Sequence, residues 1–141
     1  MRFMCIVIPK GYEKAAPDAV PDAEAITRMM EHNKNLQKAG VLLSLGGLTP
    51  PSAGARVSFN NGKATVTDGP FAEAKEVFGG YWILQVRSRE EAIEWARRAP
   101  MADGDTIEVR QIMESADFPA AVQDAIAKKY EQLVNEAAAK A

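Results

Sequence analysis

The dipeptide Asn61-Gly62 restricts this chain more than any other pair of residues in it. Asn and Gly accept the two positive backbone φ angles of a type I′ turn, whose twist matches a pair of antiparallel strands. Counting outward pairs Asn60 with Lys63, Phe59 with Ala64, Ser58 with Thr65 and Val57 with Val66. Val57, Phe59, Ala64 and Val66 then share one face, because side chains alternate along a strand. Turn chemistry and apolar alternation agree on one register, so the segment reads as a hairpin.

The other elements follow from periodicity and punctuation. Arg2 to Ile8 is a short apolar run ended by Pro9 and Gly11, and its density is that of a central strand buried on both faces. Residues 9–21 hold three prolines and a glycine and read as a loop. Asp22 can cap a helix carrying Ile26, Met29, Met30 and Leu36 on one stripe, with Gly40 as its stop. Val41 to Leu48 is a second strand, and Pro50-Pro51 enforces irregular chain after it. Beyond the hairpin, the stretch from Ala72 to Phe78 is polar and short in regular structure. Gly79-Gly80 opens a strand from Tyr81 to Arg87. Ser88-Arg89-Glu90-Glu91 has capping-box spacing, and the helix it starts ends before Pro100. Thr106 to Met113 is a last strand. Phe118, Val122, Ile126, Tyr130 and Leu133 mark a final helix, with an Ala-rich tail expected to fray.

With the hairpin and last helix set aside, the order is βαββαβ, the split arrangement of the ferredoxin-like α+β fold. Two helices cover one sheet face, and the other face needs a cover, which favours a homodimer. The expected division is residues 1–114 as the ferredoxin-like domain and 115–141 as a C-terminal helical extension.

Composition excludes several functions. The 141 residues carry 17 Lys+Arg against 19 Asp+Glu, a net charge of −2, which argues against direct nucleic-acid binding. The longest unbroken apolar run, Phe3 to Ile8, is too short to span a bilayer or to form a signal-peptide core. A cytoplasmic location without membrane attachment is therefore expected. The single cysteine, Cys5, reads as a small buried hydrophobe rather than a reactive thiol. One histidine and one cysteine make no zinc-type ligand set, and no phosphate-binding glycine loop is present, so no metal and no cofactor are expected.

Asp68-Gly69-Pro70-Phe71 is the most distinctive tetrapeptide. Together with the opening strand, Ala39-Gly40-Val41-Leu42, Leu48-Thr49-Pro50-Pro51 and Val66 to Glu73, it resembles the YCII-related family in its DGPF-motif branch. Lys75-Glu76, Gly79-Gly80, Glu94-Trp95-Ala96 and Ile107-Glu108-Val109-Arg110 extend the match to about Glu114. The resemblance implies a dimeric α/β barrel of ferredoxin-like protomers, in agreement with the strand order. It also implies a bacterial source and a link to extracytoplasmic-function sigma factors. Relatives thought to be enzymes use a His-Asp dyad near the first helix. Here the sole histidine, His32, lies inside that helix, and Gln37 and Lys38 stand near the aspartate's place, so the dyad does not carry over.

Two readings of Asp68 stay open. Its carboxylate can serve as a general base or polar anchor, kept ionised by Lys75 with Glu76 nearby. Equally, the first residue of a turn is often Asp, bonding to the backbone two residues on. Phe71, Lys75, Glu76, Glu108 and Arg110 are the ligand-binding candidates. Lys75 and Glu76 also read as surface charges, and Glu108 with Arg110 as an exposed ion pair. Tyr81 and Trp82 point to opposite faces, one of them core. His32 reads as a partly exposed helix residue.

Three functions follow. The first, which the reading favours, is a small-molecule-binding accessory protein tied to a sigma-factor circuit. The second is a cofactor-independent isomerase, lyase or hydrolase using carboxylate chemistry at Asp68. The third is a protein-interaction module docking through the open sheet face or the last helix.

Overall fold

The computed structural model describes residues 1–140, and its framework is set by the apolar strand β1 (Arg2–Ile8). β1 pairs antiparallel on one side with β5 (Gly80–Gln85) and on the other with β6 (Thr106–Gln111). β2 (Leu42–Gly47) joins the outer edge of β5, giving the order β2-β5-β1-β6. These four strands, taken in chain order without the hairpin, lie in the sequence 2-3-1-4, so the fold is the α+β ferredoxin-like split βαβ that the element order predicts.

The two faces of the sheet separate cleanly by residue parity. Phe3, Cys5 and Val7 of β1, with Trp82 and Leu84 of β5, pack under Leu36 of α1 (Ala23–Lys38) and Ala92 of α2 (Arg89–Arg97). Met4, Ile6 and Ile8 lie on the opposite face, in register with Glu108, Arg110, Tyr81 and Ile83. Tyr81 stands beside Gly46, where an added Cβ would come within 2.9 Å of its ring. The strand thus needs Gly46 to make room for the aromatic ring.

Local chemistry sets the helix ends. Asp22 Oδ1 accepts from Ala25 N–H at 2.7 Å and caps α1. At its other end Gly40 has φ 70°, Val41 N–H donates to Leu36 C=O, and Gly40 N–H donates to Gln37 C=O. That pair of bonds is the Schellman closure, and it folds Val41 back beside Leu36 in the core. α2 begins as its box predicts at one end only: Ser88 Oγ accepts from Glu91 N–H, but Glu91 Oε2 accepts from Arg87 N–H instead of Ser88 N–H. The carboxylate reaches one residue further back and ties the helix to the bend that follows β5.

β3 (Ala55–Asn60) and β4 (Lys63–Asp68) form a separate two-stranded ribbon with the predicted register, and Asn61 and Gly62 both have positive φ. Residues from Ile112 form a second compact unit. It holds a short turn at Ser115–Asp117 and the helix α3 (Ala120–Ala139). The Ala-rich tail expected to fray is helical through Ala139, as suits the residue with the highest helix propensity. Among the described residues, no helix is long and apolar enough to cross a membrane.

Candidate functional site

Pro50 and Pro51 stop the β2 ladder and turn the chain, and the end of the ribbon returns to the same place. Gly69 N–H donates to Gly54 C=O at 2.8 Å, which pins the Asp68-Gly69-Pro70-Phe71 segment against the 50–54 turn. A Cβ on Gly69 would lie 1.7 Å from the Pro51 carbonyl oxygen, so no other residue fits. The Gly69-Pro70 peptide is cis.

A third loop is stitched to these two. Ser52 Oγ donates to Ala15 C=O at 2.7 Å, and Tyr12 Oη donates to Leu48 C=O at 2.6 Å. Burial raises the pKa of the Tyr12 phenol, so it remains a donor at neutral pH. Leu48 N–H donates to Gly79 C=O, and Gly79 N–H to Val7 C=O, which ties the assembly to the end of β1. Three irregular segments, residues 9–15, 48–54 and 69–79, are thereby fixed by hydrogen bonds rather than by regular secondary structure.

Phe71 sits half-buried at their meeting point, with the Arg56 guanidinium 4.0 Å from its ring centroid. This cation–π contact holds the ring between two cavities. The larger, about 500 Å³, is lined by Glu13, Lys14, Ser52, Phe71 and Lys75 together with small apolar side chains. The smaller, about 330 Å³, takes Phe71, Arg56, Glu76 and Val77 against Pro50 and Pro51. Glu13, which lines the larger one, carries an oxygen, Oε2, that is sealed from solvent and has no hydrogen-bond partner. Buried polar atoms are nearly always paired in folded proteins, so this undonated oxygen beside the cavity is an exception.

The residues singled out from sequence fall in three places. Phe71 and Lys75 line the larger cavity, and Phe71 and Glu76 the smaller. Asp68 ends β4 opposite Ala55, is exposed, and lines neither cavity. Glu108 and Arg110 lie on β6, facing away from α1 and α2, with their charged groups 3.9 Å apart and open to solvent. An exposed pair at that distance contributes little. Glu13, Lys14, Ser52 and Arg56 line these cavities without any signal in the sequence. They come from 9–15, 52 and the ribbon, and nothing in a proline-rich loop announces what it will touch.

His32 departs from its expected exposure: it is 6% exposed, its ring edge-on to Trp82 with centroids 5.3 Å apart. Trp82 Nε1–H donates to Asn33 Oδ1 at 2.7 Å. Burial, and then the positive charge of Arg98, lower the His32 pKa and favour the neutral ring. Cys5 is 1% exposed, and burial pushes its pKa up to about 11, so the thiol stays protonated. Among the described residues, no three His, Cys, Asp or Glu side chains cluster as metal ligands.

The sequence is 36% identical over 69 residues to an uncharacterised protein of Rhizobium meliloti (strain 1021), a match covering 49% of this chain and 56% of that relative. The chain thus spans little more than half of that protein's length. The YCII-related domain model matches residues 1–116, which takes in the whole four-stranded sheet, the ribbon and all three loops around Phe71. On that match, and with the ferredoxin-like strand order it accompanies, the chain belongs to the YCII-related family.

Proposed function

We propose that this YCII-related chain is a small-molecule-binding protein whose site is the pair of cavities that share Phe71 as a wall. The observation that carries the reading is the larger cavity: about 500 Å³, built from three mutually bonded loops, with an aromatic wall and charged side chains. Ligand sites typically run from about 300 to 1,000 Å³ and combine apolar walls with a few polar groups. The presence of Asp68-Gly69-Pro70-Phe71 supports placing the chain in the DGPF branch, and Phe71 of that tetrapeptide lines this cavity. The link of that branch with extracytoplasmic-function sigma factors makes an accessory role in such a circuit its setting. An acid–base enzyme centred on Asp68 has less support, since that carboxylate lines neither cavity.

We also propose that the chain acts as a homodimer. Val57, Phe59 and Val66 of the ribbon are exposed on the face predicted to be apolar, and a lone two-stranded ribbon is marginal in water. A thermal-shift screen of small metabolites tests the binding proposal. At least one compound should raise the melting temperature of the wild type and lose that effect in both Phe71→Ala and Lys75→Ala. If every stabilising compound acts equally on the variants, the cavity is not the site.

A further inference from the structure

The same cavity holds opposite charges that do not pair. Glu13 lies on its wall with Oε2 sealed and undonated, while Lys14 and Lys75 line the same space. Among the described residues, neither lysine lies within ion-pair distance of Glu13, since every ion pair in this unit joins other residues. Opposite charges thus line one cavity without pairing, and its remaining walls are Phe71, Pro70, Ser52 and alanines.

We propose that the ligand is a small zwitterion of the amino-acid type, an inference that rests on reading this cavity as the binding site. Its ammonium group binds the Glu13 carboxylate, and its acidic group binds Lys75, with Lys14 adding to the positive side. A carboxylate accepts only, so what Glu13 needs is a donor, and an ammonium group offers three N–H donors with a compensating charge. A purely anionic ligand would meet Lys75 but leave Glu13 undonated and repelling it. A purely cationic one would satisfy Glu13 and face two lysines. Only a ligand with both charges, separated by a short apolar body along Phe71, answers the whole wall.

Calorimetric titration of the full chain with glycine, β-alanine, γ-aminobutyrate, 6-aminohexanoate and L-leucine tests this. The tightest of these is expected to bind at least about tenfold better than the matching acid without its amine, or the matching amine without its acid. In Glu13→Gln the advantage over the amine-free acid should vanish. In Lys75→Met the advantage over the acid-free amine should vanish. These ratios are read within one variant, so a general loss of stability does not imitate them, and circular dichroism confirms that each variant is folded. Failure of all five zwitterions to bind, or ratios unchanged in both variants, overturns the proposal. Should a neutral or singly charged compound instead bind in a way that depends on Phe71, the ligand class is wrong and the cavity stands. Should no compound depend on Phe71, the cavity reading falls with it.

Discussion

Gly69 shows how one residue can hold a site together without touching a ligand. Its missing side chain lets the ribbon end lie against the Pro51 carbonyl, and a methyl group there meets backbone, which cannot turn aside. Gly69→Ala should destabilise the fold by about 3 kcal/mol, the upper part of the range for overpacking. Gly47, whose added Cβ would meet nothing within 4 Å, is the control: Gly47→Ala should be neutral or stabilising by up to about 1 kcal/mol in urea unfolding. His32 makes a prediction of opposite kind. Its folded pKa lies below the ordinary value of about 6.5, so as pH falls through that value the unfolded chain takes up the proton first. Stability is lost on its account between the ordinary value and the lowered one. The loss from pH 7 to pH 5 should be smaller in His32→Gln than in the wild type, and equal losses would refute this. Cys5, with its pKa near 11, should resist a thiol reagent at pH 8 until the chain unfolds.

At the scale of elements, the parts that announced themselves are those whose structure is decided within a few residues. Asn61-Gly62 sets the ribbon register, Asp22 starts α1 and Gly40 ends it, each by a bond reaching no more than about five residues along the chain. Asp22→Ala should therefore cost about 1 kcal/mol, the usual value for a lost N-cap, with no change in ligand binding. The site was less legible. Phe71, Lys75 and Glu76 stood out through their motif, but Glu13 and Ser52 reach it through loops whose course depends on contacts 37 residues apart, such as Ser52 to Ala15. The burial of His32 is illegible in the sequence for a related reason. Helical spacing fixes which residues share a face, whereas its burial depends on Trp82, which lies on a strand of the sheet beneath.

At the scale of the whole molecule, the ribbon and the sheet account for the proposed assembly. Phe59 is 79% exposed and Val66 66%, so the apolar face of the ribbon is open to solvent despite its cross-strand pairs. Sedimentation should show a dimer, and Phe59→Ser should weaken it while leaving the circular dichroism of the chain unchanged; a monomeric wild type would remove the dimer from the account. The central claim, however, is that the loops around Phe71 form a ligand site. It is tested most directly by backbone amide spectra of the labelled full chain, recorded with the compounds that raise its melting temperature. The expected result is that residues 13–15, 52 and 71–75 shift together, saturably, while amides of α1 and α2 stay in place. Shifts confined to the helices, or to the exposed β6 pair of Glu108 and Arg110, would contradict it.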